Sequence, residues 1–393
     1  MSRLRWALGH RLAPQAMLAA FLIALPALLP IPNADFNKAY YPAARQTVET
    51  GTFAYTYEGF KNLPVVALLL APFALTDRDT GGHLFLVFQL LAYFAAFHVL
   101  AGALARSSRD RWALLALFVL STPFLSGVRF GQLTSLAFLL LVSMLALYLR
   151  GGRTLPGVLL GSAFLLKIPT GFLFLYFLRR GELRVMTASA LTFLGFLAAS
   201  LLFYGLELHF EYYEHALAKN AGKTLLAYNN QNLFAFVMRF VEGPAHFSWA
   251  TIAIPRALEL GLLSGIAAFV ALVLALWCGP TDDSRKTEIG VSLMICIMLS
   301  VFPFVWDHYY LFLVLPFFVA YRGLEKSSTL VQIACYVAAF AFVNLPLVAI
   351  LKLPALAASQ ASPLVAGLPF LGCLILLALL VREARRLGTL EPA

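Results

Sequence analysis

The chain has 393 residues, of which 61% are hydrophobic and only 12% charged, and its mean hydropathy is +0.83. This composition excludes a water-soluble globular domain and predicts a polytopic membrane protein. The formal net charge of +10 does not indicate nucleic acid as a partner here, because the basic residues lie in short clusters between apolar runs, as in cytoplasmic loops. We therefore expect membrane lipids as partners. The four cysteines all lie inside apolar runs, which supports neither a disulfide framework nor a zinc site.

The first apolar stretch, residues 14–31, follows three arginines near the N-terminus. Its length of about 18 residues exceeds the apolar region of a signal peptide and suits a membrane-spanning helix. Asn33-Ala34 is a poor cleavage site, so we predict that the segment is retained as the first helix.

Further apolar runs follow, and together with the first they predict about twelve transmembrane helices. Clusters of Arg and Lys interrupt every second gap, and strict alternation puts all of these clusters on the cytoplasmic side together with both termini. The further runs cover residues 82–104, 112–128, 130–149, 155–166, 168–178, 185–204, 252–278, 289–305, 309–321, 329–351 and 364–381.

Two places depart from simple crossing helices. Residues 63–75 amount to about 13 residues, roughly 20 Å as a helix, which is too short for a comfortable crossing. We predict a re-entrant or interfacial helix there, since counting it as a span moves the basic cluster at 106–111 to the outer side. Residues 155–178, by contrast, must form two short spans that meet at Lys167 and Pro169. Lys167 then lies near the outer face.

Two outer segments, residues 32–62 and 205–249, are long enough to hold structure of their own. In each, apolar residues recur on one stripe with charged residues elsewhere, which predicts helices lying along the membrane surface. Without a repeat, a low-complexity segment or a soluble appendage, we expect one all-α membrane domain over residues 1–393. The apolar stripes are Phe36, Tyr40 and Ala44 in the first segment and Leu208, Tyr212 and Leu217 in the second.

A small set of polar residues in and beside the apolar runs maps to a single membrane face. Polar groups at membrane depth are costly and usually functional, so we predict that they converge in one pocket that forms the active site. The set is Asp35, Arg129, Gln132, Lys167, Asn230, Gln231, Asp307 and His308.

Each of these residues also has a purely structural interpretation. Asp35 precedes a predicted helix and suits its N-cap. Lys167 and Arg129 suit helix ends from which a long side chain reaches the headgroups. Asn230 and Gln231 suit ordinary loop positions, and Asp307-His308 suits a solvated turn between two short spans.

Several short motifs occur in a consistent order over most of the chain. They are Asp35-Phe36 followed by Tyr40-Tyr41, Leu63-Pro64 ahead of an Ala67-to-Pro72 run, Gly131-Gln132-Leu133, Gly157 through Lys167-Ile168-Pro169-Thr170, Asn230-Gln231-Asn232 and Trp306-Asp307-His308. This series resembles the polyprenol-phosphate-mannose-dependent mannosyltransferases, glycosyltransferase family 87 of the GT-C superfamily. The chain departs from the family pattern at Asn62, Val305 and Tyr309, which leaves the acceptor and the exact sugar open.

The resemblance implies a GT-C-like bundle that transfers a hexose, with mannose as the best guess, from a polyprenyl-phosphate donor to a hydroxyl of a glycolipid or glycan at the outer membrane face, with inversion. Asp35 would be the general base. Lys167 and Arg129 would stabilise the departing phosphate. The outer face lacks a paired-carboxylate motif such as Asp-x-Asp, so we expect no metal and no cofactor. The expected location is a bacterial inner membrane. The remaining residues, Gln132, Asn230, Gln231, Asp307 and His308, would bind the phosphate or the sugar.

The main alternative is a secondary transporter or flippase for a lipid-linked or small polar substrate. Such proteins usually bind substrate near the bilayer midplane between related halves, whereas here the polar residues gather at one boundary and no internal repeat is found. An O-antigen ligase or polymerase would be expected to carry a large late outer loop rich in Arg and His, whereas the long outer segments of this chain come early and in the middle. A purely structural membrane scaffold does not explain the ordered motifs.

Overall fold

The computed structural model describes residues 2–28, 33–55, 60–243, 248–324, 329–353 and 362–389. These residues are almost entirely helical, which confirms the predicted all-α class. In chain order the helices are α1 (Ser2–Leu28), α2 (Tyr41–Thr50), α3 (Val65–Ala74), α4 (Arg78–Leu104), α5 (Ser108–Val119), α6 (Thr122–Phe130), α7 (Thr134–Leu149), α8 (Thr154–Leu166), α9 (Leu173–Arg179), α10 (Leu183–Tyr212), α11 (Leu233–Glu242), α12 (Arg256–Trp277), α13 (Ser284–Val301), α14 (Val314–Leu324), α15 (Leu330–Val343), α16 (Leu347–Leu351), α17 (Ser362–Ala366) and α18 (Leu368–Thr389).

Short irregular elements complete the described chain. Strands β1 (Lys223–Leu225) and β2 (Thr251–Ala253) pair antiparallel, with Lys223 opposite Ala253. π-helical turns cover Phe36–Tyr40 and Tyr213–Leu217. The 3-10 turns are Ile168–Phe172, Ala218–Asn220 and Asp307–Leu313.

The chain packs as two compact units. The first consists of Met1–Leu120, Phe124–Ile168 and Arg184–Lys219, and the second of Ser121–Pro123, Pro169–Leu183 and Asn220–Ala393. In the first unit α7 packs against α4 and α8. In the second unit α13 is buried along nearly its whole length and packs against α14 and α18.

Three of the described helices, α4, α10 and α12, are long and apolar enough to cross a bilayer. Helices α5 and α6 pass the same test together, although they bend by 45° at their junction, and count as a fourth span when taken as one. Several other apolar helices in the described ranges have only 10–17 residues. The chain is therefore an integral membrane protein in which many apolar helices are short or broken.

The break predicted at Lys167 and Pro169 is confirmed. Helix α8 ends at Leu166, a 3-10 turn begins at Ile168, and α9 follows. Pro169 has no N–H and cannot continue the helical hydrogen bonding. The short helix predicted within residues 63–75 is confirmed as α3, whose ten residues measure about 15 Å.

Two of the predicted spans, 112–128 and 329–351, are interrupted by a break in the helix. The first breaks between α5 and α6, just before Pro123, and the second between α15 and α16, beside Pro346. The two breaks hydrogen bond to each other. Thr122 N donates to Asn344 Oδ1 at 2.9 Å, and Thr122 Oγ1 donates to Asn344 O at 2.8 Å. The paired breaks thus satisfy backbone groups that a bent helix leaves open.

The apolar stripe predicted for the first outer segment is confirmed. Phe36, Tyr40 and Ala44 are all buried, whereas Lys38 is exposed. In the second segment Leu208 and Tyr212 are buried, but Leu217 is 44% exposed, so this part of the prediction is wrong. The stripe ends there because α10 gives way to a π-helical turn, which shifts the register of the following side chains.

Close packing of α8 fixes where the candidate site residues lie. A Cβ at Gly157 would be 2.4 Å from Val185 O, and one at Gly161 would be 2.5 Å from Ser189 O, so only glycine lets α8 approach α10 this closely. Helices α7 and α8 are joined by the short connection 150–153 and run antiparallel as neighbours. The start of α7 and the end of α8 therefore lie at the same end of the pair.

Candidate functional site

Three of the predicted site residues form a continuous hydrogen-bonded chain in the first unit. Gln132 Nε2 donates to Asp35 Oδ2 at 2.5 Å, and Lys167 Nζ donates to Gln132 Oε1 at 2.8 Å. Gln132 Oε1 also accepts a hydrogen bond of 3.0 Å from Tyr40 Oη. Gln132 precedes α7 and Lys167 follows α8, so the antiparallel pair brings the two together. We call Asp35, Tyr40, Gln132 and Lys167 the Asp35 cluster.

Gly131 allows the Asp35 segment to reach Gln132. Its φ is +72°, and a Cβ at this position would lie 2.7 Å from Phe36 Cβ. Any larger residue would therefore be strained in its backbone and would push Phe36 away. The contact between Gly131 and Phe36 sets the neighbouring residues, Gln132 and Asp35, side by side.

The Asp35 carboxylate does not act as a helix N-cap. Asp35 has helical φ and ψ, and its side chain makes no capping hydrogen bond to the π-helical turn that follows. The carboxylate accepts instead from Gln132, 97 residues away in the chain. Tyr40, the last residue of this π-helical turn, donates its hydroxyl to the same Gln132 oxygen that Lys167 reaches.

Lys167 lies between α8 and the 3-10 turn, in an extended conformation, and is only 4% exposed. Burial lowers the pKa of Lys167 to about 7, although the nearby Asp35 carboxylate acts in the opposite direction and raises it. Arg129, the other predicted cation, is exposed at the last turn of α6. An exposed arginine at a helix end fits the structural interpretation of that residue.

The other four predicted residues lie together in the second unit, where two chain segments run side by side. Gln231 N donates to Val305 O at 2.6 Å, and Asp307 N donates to Asn229 O at 2.7 Å. Asn230 and Trp306 form an antiparallel bridge between these bonds. The structure thus brings the predicted residues together as two groups, one in each unit, and their union in a single pocket stays a prediction.

The amide side chains of Asn230 and Gln231 are fully buried and bonded to the chain's own backbone. Asn230 Nδ2 donates to Leu225 O at 3.0 Å, and Asn230 Oδ1 accepts from Val305 N at 3.0 Å. Gln231 Nε2 donates to Tyr228 O, and to Ala366 O at 2.7 Å. These bonds hold the turn, while Gln231 Oε1 is buried without a hydrogen-bond partner; binding of a sugar by the two amides stays a prediction.

Asp307 and His308 follow this bridge. His308 N donates to Asp307 Oδ1 at 2.7 Å, whereas His308 Nδ1 is 3.7 Å from the same oxygen, beyond hydrogen-bond range. Asp307 therefore fixes the backbone of His308 through this bond. The Asp307 side chain is 29% exposed and that of His308 only 5%.

A family model described as glycosyltransferase family 87 matches residues 60–303, more than half of the chain. The chain belongs to glycosyltransferase family 87. The matched region contains Arg129, Gln132, Lys167 and the Asn230-Gln231 pair, whereas Asp35, Asp307 and His308 lie outside it. No curated protein matches the chain.

Membership of family 87 makes the protein an integral membrane glycosyltransferase and sets the transporter interpretation aside. A glycosyltransferase needs a base for the attacking hydroxyl and positive charge for the leaving group. The Asp35 cluster contains one partly buried carboxylate and one buried ammonium, both hydrogen-bonded to a single amide. Within the described ranges, no group of three or more His, Cys, Asp and Glu side chains is arranged to hold a metal ion.

Three residues that contact the predicted site residues were not assigned a functional role from the sequence. The Tyr40 hydroxyl donates to Gln132 Oε1. The Gln89 amide nitrogen, in the orientation that gives both of its ends hydrogen-bond partners, donates to the backbone oxygen of Gln132 at 2.9 Å. Arg239 is fully buried in the second unit and donates to the carbonyls of Leu226 at 2.9 Å and Asn230 at 2.5 Å. A polar residue on an otherwise apolar helix was the available signal for Gln89 and Arg239.

Proposed function

We propose that this glycosyltransferase transfers a hexose, with mannose as the best candidate, from a polyprenyl-phosphate donor to a hydroxyl group of a glycolipid or glycan acceptor. Asp35 serves as the general base. The observation that supports this assignment is the hydrogen-bonded chain from Asp35 through Gln132 to Lys167. It provides a carboxylate that can accept a proton and a cation that can stabilise the leaving phosphate. Both are hydrogen-bonded to the same amide, that of Gln132.

In the proposed reaction the acceptor oxygen attacks the anomeric carbon of the donor sugar. A bond forms between these two atoms while the bond from the anomeric carbon to the phosphate oxygen breaks. The electron pair of that bond leaves with the polyprenyl phosphate, and the proton of the hydroxyl passes to Asp35. One displacement with one base inverts the configuration at the anomeric carbon.

Lys167 is the proposed partner of the phosphate. A buried ammonium interacts more strongly with a developing negative charge than one in water does. Lys167 Nζ donates to the side-chain oxygen Gln132 Oε1 at 2.8 Å, and the Asp35 carboxylate lies near enough to raise its pKa against the effect of burial. Phosphate is itself a good leaving group, so the proposal includes neither an acid catalyst nor a metal ion.

The proposed setting is the outer face of a bacterial inner membrane, with both termini in the cytoplasm. The basic clusters between apolar runs support this orientation. The number of spans in this proposal, about twelve, comes from the apolar runs of the sequence.

The test is a transfer assay with purified protein, a membrane lipid extract and a panel of radiolabelled donors. The panel contains polyprenyl-phosphate mannose, polyprenyl-phosphate glucose and a nucleotide-linked mannose. We expect label to move from a polyprenyl-phosphate sugar into an extractable product, with release of one polyprenyl phosphate for each sugar transferred. Transfer from the nucleotide sugar alone would refute the proposed donor class.

A further inference from the structure

The end of α8 is held by a residue from the outer segment between α2 and α3. Asn62 Nδ2 donates to Leu166 O at 3.2 Å. Leu166 is the last residue of α8, and carbonyls in the last turn of a helix lack partners within it. The chain leaves the helix at Lys167 (φ −144°, ψ 95°), so the Leu166 carbonyl needs a hydrogen-bond donor from outside the helix. Asn62 supplies that donor.

Both ends of the peptide unit between Leu166 and Lys167 are therefore fixed. Its oxygen accepts from Asn62, and its N–H, on Lys167, donates to Ala163 O at 2.9 Å. A peptide unit is planar, so two such bonds prevent it from rotating. The orientation of this plane sets the direction in which the Lys167 side chain leaves the backbone.

Asn62 is itself anchored. Tyr55 Oη donates to Asn62 O at 2.6 Å, and Tyr55 N donates to Glu211 Oε2 on α10 at 3.3 Å. The Tyr55 ring packs against Phe53 and Tyr212 with centroid distances of 5.2 and 5.8 Å. A path of packed and hydrogen-bonded groups thus runs from α10 through Tyr55 and Asn62 to the end of α8.

We propose that Asn62 is a positioning residue for Lys167, which orients the lysine toward Gln132 and the donor phosphate. This inference rests on the proposed function of Lys167.

The experiment compares two substitutions in two backgrounds. Asn62→Ala removes the bond to Leu166 O. Thr50→Val is the matched control, since Thr50 is exposed in the same outer segment and its Oγ1 donates to the carbonyls of Gln46 at 2.9 Å and Thr52 at 3.0 Å. Each is made in the native chain and in Lys167→Ala, and donor KM, kcat and Tm are measured for all of them.

If Asn62 acts through Lys167, Asn62→Ala raises the donor KM roughly tenfold in the native chain and changes it little once Lys167 is absent. Thr50→Val leaves KM unchanged in both backgrounds. An equal rise in KM in both backgrounds, or a loss of Tm with unchanged KM, would show that Asn62 only stabilises the fold.

Two further arms keep the outcome clear. Should Asn62→Ala fail to fold, Tyr55→Phe removes only the hydroxyl that holds Asn62, and we expect a smaller rise in KM that again disappears in Lys167→Ala. A full-sized effect of Tyr55→Phe in Lys167→Ala refutes the positioning role. If Lys167→Ala itself leaves the donor KM unchanged, the proposed function of Lys167 fails. This outcome differs from an equal effect of Asn62→Ala in both backgrounds, which would refute only the positioning role of Asn62.

Discussion

Gln132 donates a 2.5 Å hydrogen bond from its side-chain amide to the Asp35 carboxylate. The other end of the same amide accepts from Lys167 and Tyr40. An amide whose oxygen receives two donors cannot flip without losing both, so its nitrogen stays directed at Asp35. The orientation of the proposed base is thereby coupled to the position of the proposed phosphate-binding lysine.

Replacement of Gln132 tests this coupling. Gln132→Met keeps the side-chain length but loses the bonds to Asp35, Tyr40 and Lys167, and we expect kcat/KM to fall about a hundredfold, as for the loss of a preorganised donor. The control is Gln332→Met, which alters the capping box of α15 and should cost about 1 kcal/mol of stability with unchanged transfer. Equal transfer rates for the two variants would contradict the account.

The pH dependence of donor use should follow Lys167. Its pKa is lowered to about 7, so the ammonium is lost as the pH rises through that value, and kcat/KM for the donor should fall on the alkaline side. The donor phosphodiester stays anionic over this range, so its own charge does not change.

Lys167→Arg provides the control for that profile, because an arginine remains charged at every relevant pH. We expect it to bind donor with little change between about pH 6 and about pH 9, even if its overall rate is lower. An alkaline fall that is identical in Lys167→Arg would assign the titration to another group.

Gly131 should not tolerate a side chain. Gly131→Ala combines a positive φ with a Cβ placed 2.7 Å from Phe36, and we expect a loss of about 2 kcal/mol in stability together with reduced transfer. Gly102→Ala is the matched control, since Gly102 is exposed on α4 with open space around it. Thermal unfolding in detergent should separate the two, and equal Tm values would refute the close approach.

Arg239 should be the residue on which the turn of the second unit depends most. Arg239→Met leaves the buried carbonyls of Leu226, Ala227 and Asn230 without their donor, and we expect a loss of about 3 kcal/mol. Arg256→Met removes only an exposed pair with Glu259 and should cost less than about 1 kcal/mol. Denaturant or thermal unfolding measures the loss of stability in both variants. Similar losses would show that the turn does not depend on the buried arginine.

Much of the local organisation could be predicted from the sequence because it depends on neighbouring residues. The break at Lys167, the short α3 and the buried stripe of Phe36 and Tyr40 were predicted correctly because each depends on residues close together in the sequence. Each follows from helix length, proline chemistry or helical periodicity.

Long-range pairing could not be predicted in this way. The bond between Gln132 and Asp35 joins residues 97 positions apart, and no local pattern specifies it. The broken helices at Thr122 and Asn344 satisfy one another across 222 positions, so each break is understandable only when its partner is known. The contacts of Asn230 and Gln231 with the distant Val305 segment could not be predicted from their own neighbourhood in the sequence.

The most direct test of the account is transfer by Asp35→Asn in a reconstituted assay, with donor binding and Tm measured on the same preparation. Asn keeps the shape of the side chain but cannot accept the proton, and loss of a general base costs about 10²- to 10⁴-fold. Asp79→Asn, at an exposed aspartate at the start of α4, is the matched control. We predict native Tm and donor binding with transfer nearly abolished in Asp35→Asn, and native transfer in the control. Near-native turnover by Asp35→Asn would contradict the central claim.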